Sequence, residues 1–379
     1  MPNPVKIIRV STVPVSLKML LKGQLKMLNE HYNVIGVSSA GEDLDTIKER
    51  ERIQTVAIEM ERHIAPFKDI VSLWKLIKLF RKEKPEIVHS ITPKAGLLSM
   101  IAAKITNVPI RIHTFTGLIF PTATGLKRKL LTFTDKITCK CATDIIPEGN
   151  GVKKDLMDYK ITNKPLNVLA NGNVNGIDLG YFNPEKISAE KDPSIFSFIF
   201  IGRIVADKGI NELCRAFKKL ASEFDNVRLL LVGNFEDELD PLKPEDKDFL
   251  LNNEKVTYAG YQNDIRSWLA KADALVFPSY REGFPNVVMQ AGAMGLPSIV
   301  TDINGCNEII LQEENGVIIP SHDADALYNA MKMFITNRNK TSEMAAKSRA
   351  LIESRYKQEV VWNALLDKYN KLLTKKDLN

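Results

Sequence analysis

Short apolar runs of strand length alternate with longer amphipathic segments through most of the chain, and few folds accommodate that alternation. Residues 5–10 (VKIIRV) form a β-branched run that fits a buried strand, and 17–28 (LKMLLKGQLKML) then has helical spacing. Residues 34–37 predict a second strand, 70–82 (IVSLWKLIKLFRK) a second helix, and 87–89 a strand closed by polar residues. Further strands fit 110–115, 144–146 and 166–169. Strands that alternate with helices imply a parallel sheet covered on its faces by those helices.

The pattern stops at 170–194 (ANGNVNGIDLGYFNPEKISAEKDPS), which is rich in Asn, Gly and Pro and has no periodicity. It then restarts. Strands are expected at 196–201, 227–232, 255–258, 274–277, 298–301 and 316–319, with helices at 208–223, 264–271 and 286–294. Helical spacing at 323–337, 341–354 and 358–373 closes the chain, while the charged stretch 235–248 (FEDELDPLKPEDKD) is expected to be a solvated loop. The economical reading is α/β with two doubly wound domains: 1–170, a linker at 171–194, 195–355, and a last helix at 356–379 that packs back on the first domain. In such sheets ligands bind at the carboxyl ends of the strands, so two domains facing each other make a cleft.

A length of 379 residues is ample for two cores, and 44% hydrophobic with 26% charged residues excludes collagen, coiled coil and disorder. No apolar run approaches the roughly 18 residues of a membrane span. The first residues (MPNPVKIIRV) lack the apolar region of a signal peptide, and four cysteines make no disulfide framework, so a cytoplasmic protein is expected. Cys139-x-Cys141 lacks zinc-site spacing, and no metal is expected. Residues 1–150 hold 23 Lys and Arg against 14 Asp and Glu, a net of +9; the remainder holds 29 against 32, a net of −3. A basic first half points to an anionic partner.

The chemistry concentrates at strand ends in the second half. Strand 196–201 runs into Gly202-Arg203, and the next helix opens at Asp207-Lys208-Gly209. A strand-to-helix junction presents free N–H groups and a positive dipole end, so Arg203 and Lys208 there suit a diphosphate. After strand 274–277 comes Pro278-Ser279-Tyr280-Arg281-Glu282-Gly283-Phe284-Pro285-Asn286, whose glycine lets backbone approach a ligand. Gln290 follows on the next helix. Asn304-Gly305-Cys306-Asn307-Glu308 follows strand 298–301.

This ordered set, GR-x4-KG, PS-x2-EGFP, A-x-A-x-G-x-P and G-x2-E, resembles the C-terminal half of glycosyltransferase family four. In the first half, 87–97 (IVHSITPKAGL) and 171–182 (NGNVNGIDLGYF) are similar to further family signatures, so the resemblance covers nearly the whole chain. It implies the GT-B fold, two Rossmann-like domains across a cleft, and a retaining, metal-independent sugar transfer from a nucleotide-diphosphate sugar. Among subgroups the chain is most similar to bacterial transferases that build polysaccharide repeat units on polyprenyl diphosphate.

Carried onto this sequence, the resemblance makes Arg203 and Lys208 the donor-diphosphate residues and Glu282 the holder of a donor-sugar hydroxyl. Gly202, Gly283, Phe284, Pro285 and Asn286 would lie against sugar and phosphate, Gly305 and Glu308 would close the sugar pocket, and Tyr261 would stack on the base. Gln290 stands where the family usually has a second Glu for the ribose, and lacks its charge-assisted acceptor. Ser11–Met19 lacks the Gly-Gly pair of many relatives, leaving Ser16 and Leu17 to offer N–H groups. Thr116 replaces the family's cleft histidine, with His113 and His89 as neighbouring candidates for the acceptor side.

Lys18, Lys22 and Lys26, with Trp74, Lys75 and Lys78, form the expected face toward an anionic membrane surface; a solvated lysine face on a core helix is the plainer alternative. No nucleic-acid module accompanies them, and no aromatics interleave the basic residues. The expected function is transfer of a hexose or N-acetylhexosamine, from a UDP-sugar by subgroup, to a lipid-linked saccharide at the inner face of the plasma membrane. A catalytically silent nucleotide-sugar-binding scaffold subunit is the alternative, motivated by Gln290 and Thr116. A UDP-sugar 2-epimerase would need more acid–base residues, and a dehydrogenase would need a G-x-G-x-x-G after the first strand.

Overall fold

The structure, a computed structural model, describes residues 5–61, 63, 65–238 and 240–377. The described residues fall into two compact units, one within Met1–Gly176 and Glu359–Asn379, the other Ile177–Gln358.

In the first unit the strands are β1 (Lys6–Val10), β2 (Asn33–Ser38), β3 (Gln54–Ala57), β4 (Ile87–Ile91), β5 (Ile110–Phe115) and β6 (Asp144–Pro147), all parallel in the order β3-β2-β1-β4-β5-β6. Successive strand residues point to opposite faces. Ile8, Val10, Ile35 and Val88 therefore enter one core, and Ile7, Val34 and Ile87 the other. Right-handed crossovers put the helices of β1–β2–β3 on one face and those leading to β4, β5 and β6 on the other. The last helix, Gln358–Asp377, supplies Leu365 and Tyr369 to the core beneath the first group.

Several sequence expectations change here. The helix expected at 17–28 is two helices, Pro14–Leu20 and Gln24–His31. Gly23 between them is left-handed (φ 80°), and a Cβ there would lie 3.1 Å from the Trp362 ring. Residues 166–169 form no strand and contribute a single bridge, Leu166 to Ile145. No free linker spans 171–194: residues 171–176 belong to the first unit, and Ile177, Leu179 and Phe182 enter the core of the second.

In the second unit β7 (Phe196–Ile201), β8 (Val227–Val232), β9 (Val256–Gly260), β10 (Ala274–Phe277), β11 (Ser298–Thr301) and β12 (Gly316–Ile319) form another parallel sheet, ordered β12-β11-β10-β7-β8-β9. Helix Ile210–Glu223 shows why it seats firmly: Ile210, Leu213, Cys214, Phe217 and Leu220 recur on one face and all are buried. Each large side chain contributes about 1.5–3 kcal/mol by burial. The charged stretch 235–248 runs into a helix, Pro244–Asn252, with Pro at its first position and Glu245 and Asp246 in its first turn. All four cysteines are buried and free. Among the described residues, no helix is long and apolar enough to cross a membrane.

Candidate functional site

Both sheets are wound outward from a central pair of strands, β1 with β4 and β7 with β10. The carboxyl ends of such a pair flank a crevice, because the connections leave in opposite directions.

At β7 and β10 the two loops singled out from sequence meet. Lys208 Nζ donates to Glu282 Oε1 at 2.5 Å, and Ser279 Oγ donates to the same oxygen at 2.9 Å. Ser279 is fully buried and its carbonyl accepts from Thr301 Oγ1, so the carboxylate is held from beneath by β11. Lys208 and Glu282 are both mostly buried, where a charge pair is screened far less than at the surface. Arg203 instead reaches Glu236 at 3.2 Å with about half its side chain exposed. Such a pair is worth at most about 1 kcal/mol, so Arg203 can leave Glu236 at little cost.

Glycines bring these loops close. Gly209 has φ 70°, and a Cβ on it would sit 2.1 Å from the Pro278 carbonyl oxygen. Gly305 has φ 75°, and its Cβ would sit 2.5 Å from the carbonyl of Gly283. Gly233, after β8, packs on the backbone of Gly202 in the same way, and no sequence motif had marked it. Asp207 ties the junction together: its carbonyl accepts from Tyr280 N at 2.9 Å, and its carboxylate pairs with Arg281 at 3.1 Å.

Around this pair, Phe284 and Pro285 are buried and Gly283, Asn286 and Gln290 half-buried, the last two on helix Asn286–Ala293. Glu308 lies on the short helix Cys306–Ile309, and its carbonyl accepts from Arg355 and from Tyr356. Cys306 is buried beside the pair; burial first, then the Glu282 charge, pushes its thiol well above the usual range. Tyr261 stands 64% exposed just past β9.

The junction of β1 and β4 carries hydroxyls. Thr12 Oγ1 and Thr92 Oγ1 lie 2.8 Å apart, Thr12 N donates to Thr92 Oγ1 at 3.0 Å, and Ala95 N donates to Thr12 Oγ1 at 3.2 Å. Thr92 has φ 72°, an unusual conformation for a β-branched residue. Neither threonine belongs to a sequence motif; only their place at the two strand ends marks them. Ser16 lies in the first turn of helix Pro14–Leu20, half-buried, and Thr116 directly follows β5.

Neither histidine offers its ring to solvent, against the expectation of an acceptor-side role. His89 is buried with Nδ1 against Tyr369 Oη at 2.6 Å and Nε2 against Thr114 Oγ1 at 2.7 Å. His113 is buried with Nδ1 against Ser90 Oγ at 2.8 Å, and Gly96 packs on its ring. Burial pushes the His113 pKa down to about 3 and that of His89 well below its usual value, helped there by the Arg9 charge. The six residues expected at a membrane are also divided. Lys18, Lys22 and Lys26 belong to the layer over one face of the sheet, and Lys18 pairs with Asp43 at 2.6 Å; Trp74, Lys75 and Lys78 ride on helix Pro66–Glu83 over the other. Opposite crossover directions separate them.

Two family signatures match the chain: "Glycosyl transferases group 1" over residues 183–351 and "Glycosyl transferase 4-like" over residues 18–148. It is 35% identical over 375 residues to the capsular polysaccharide biosynthesis glycosyltransferase CapM of Staphylococcus aureus, with 97% of each chain covered. It is 32% identical over 283 residues, 71% of each chain, to a UDP-Gal:alpha-D-GlcNAc-diphosphoundecaprenol alpha-1,3-galactosyltransferase of Escherichia coli. Among solved structures, Anabaena HepE in complex with UDP-glucose superposes with a TM-score of 0.79 at 17% identity, covering 97% of this chain and 99% of that one.

Proposed function

The chain belongs to glycosyltransferase family four, with its two-domain GT-B fold, and from that premise we propose that it transfers a hexose or N-acetylhexosamine from a UDP-sugar, with retention and without a metal, to a polyprenyl-diphosphate-linked saccharide in capsular or O-antigen-type polysaccharide assembly. The observation that carries this reading is the Lys208–Glu282 pair at the β7–β10 junction, with the loosely held Arg203 beside it.

Transfer breaks the bond between the anomeric carbon and the diphosphate oxygen, so negative charge grows on the leaving UDP. Lys208 has three N–H donors; it can keep Glu282 and still reach a phosphate oxygen, while Arg203 exchanges Glu236 for a forked phosphate contact. Fixed positive charge aimed at the leaving group lowers the barrier without reorganisation. Glu282, oriented by Ser279, accepts from a hydroxyl of the donor sugar. Gln290 takes the ribose, and Gly305 with Glu308 borders the sugar. A UDP donor draws support from the relative and the solved neighbour whose names carry UDP-Gal and UDP-glucose. A polyprenyl-linked acceptor would place the enzyme peripherally on the inner face of the plasma membrane.

The test is transfer from labelled UDP-, GDP- and ADP-sugars to polyprenyl-linked saccharide with EDTA present, followed by anomeric assignment of the product. Product of retained configuration from UDP-sugars alone is expected. Transfer abolished by EDTA and restored by a divalent cation, or an inverted product, would overturn the mechanism.

A further inference from the structure

Helix Pro66–Glu83 has two apolar faces. Ser72, Leu76 and Phe80 are buried in the core, as its packing on the sheet requires. The opposite face carries Phe67, Ile70, Val71 and Trp74, spaced i, i+3, i+4 and i+7, and all four are exposed, Phe67 by 88% and Trp74 by 61%. That spacing is one continuous stripe of a helix. Over the next two turns the same side becomes basic with Lys75, Lys78, Arg81 and Lys82, and Lys78 Nζ lies 5.5 Å over the Trp74 ring.

Helix Gly125–Cys141 repeats the pattern in the same unit. Leu126, Leu130 and Phe133 are exposed at i, i+4 and i+7, Leu126 by 83% and Phe133 by 60%. Lys127 and Lys129 flank the stripe, while Arg128 lies on the far side of the helix, 5.0 Å over the Tyr159 ring. Toward its C-terminal end Lys136 and Lys140 line a pocket of about 380 Å³ with Lys160 and Lys164, and no carboxylate lines it. Both helices pack against helix Pro93–Ile105 between them, in one layer over one face of the sheet. Two apolar stripes with basic collars thus share one layer.

We propose that this layer is a membrane-docking surface: Phe67, Ile70, Val71 and Trp74, with Leu126 and Phe133, enter the headgroup–acyl boundary of an anionic bilayer, and the flanking lysines and arginines meet its phosphates. Charge complementarity selects that occupant. An exposed apolar stripe alone would fit a protein groove, but one that passes through a Trp–Lys boundary into Lys75, Lys78, Arg81 and Lys82 fits a surface that is apolar at one depth and anionic at the next, and the carboxylate in its first turn, Asp69, is paired with Lys94. The docking face is thereby assigned away from Lys18, Lys22 and Lys26. Its biological purpose rests on the reading of a lipid-linked acceptor; the geometry does not.

The experiment is flotation of the full chain with neutral phosphatidylcholine vesicles and with vesicles carrying roughly 30% phosphatidylglycerol, run beside a UDP thermal shift. Strong binding to the anionic vesicles and weak binding to the neutral ones is expected. Phe67→Ser, Val71→Ser and Trp74→Ser combined, and separately Lys75→Glu with Lys78→Glu, should each cut it roughly tenfold or more. Both sets change exposed residues, so the UDP shift should persist, and Lys22→Glu with Lys26→Glu on the other layer should leave flotation unchanged. Wild-type chain that fails to float, or variants that float as well as wild type, would overturn the proposal. So would a concentration-dependent dimer, without vesicle binding, that the stripe variant abolishes, since a second copy would then cover the face. Absence of the UDP shift in wild-type chain would count against the donor reading alone.

Discussion

At the β7–β10 junction the adjacent strand ends carry Lys208 and Glu282, a mostly buried charge pair with an arginine nearby. At the β1–β4 junction they carry Thr12 and Thr92, with two deeply buried histidines in the same sheet. The winding is the same and the chemistry opposite. Under the proposed function the charged junction holds a diphosphate and stabilises its departure, which needs fixed cations. The threonine junction is held by hydrogen bonds between neutral groups, and the buried charge of that sheet, Arg9, donates to Tyr369 and helps to keep His89 neutral. Topology makes the crevice, and side chains decide its use.

The largest expected effect falls on the charged side. Lys208→Ala should reduce kcat by roughly 10²–10³-fold, the scale of removing one preorganised charge contact, while the thermal melt of the first unit stays unchanged. A variant that turns over normally would erase the distinction between the junctions.

Acid should act on the neutral side next. Both buried rings are neutral when folded, whereas the unfolded rings take up protons below about pH 6.5. Stability is therefore full above that pH and declines as pH falls toward the folded values, about 3 for His113. The slope is about 1.4 kcal/mol per pH unit for each proton taken up. Denaturant melts between pH 7 and 5 should show the decline, and His113→Gln should flatten it; a flat wild-type profile would mean the rings are not held neutral.

Thr12→Val should cost about 1–2 kcal/mol, because the Ala95 N–H loses its acceptor inside the fold, and should leave UDP binding intact. Chemical denaturation beside UDP calorimetry checks both halves of that expectation. The smallest effect is Gln290→Glu, which restores a charged acceptor and should tighten UDP several-fold, measured by calorimetry. Weaker binding would place Gln290 away from the ribose.

How much of this was legible in the sequence depended on what local pattern can carry. Strand ends followed by Gly and a charged residue marked Lys208, Glu282 and Gly305, because close backbone approach demands glycine wherever it occurs. The Thr12–Thr92 clasp was not legible: the residues are 80 positions apart, and nothing local distinguishes such a threonine from any other. The histidines looked available because a strand-end position does not reveal which way a ring turns. Helix Pro66–Glu83 was visible as a helix, but apolar residues on both its faces blurred the periodicity that separates core from surface. The layer each helix joins was hidden as well. It follows from strand order, and strand order puts Lys18 and Trp74 on opposite faces.

The central claim is that the β7–β10 junction binds a nucleoside diphosphate through its cations. Isothermal titration of wild-type chain and Lys208→Ala with UDP and with UMP, which lacks the second phosphate, tests it most directly. Wild-type chain is expected to bind UDP roughly tenfold or more tighter than UMP, and the variant to lose most of that advantage. Equal affinities for UDP and UMP, or a variant that keeps the full UDP preference, would contradict it.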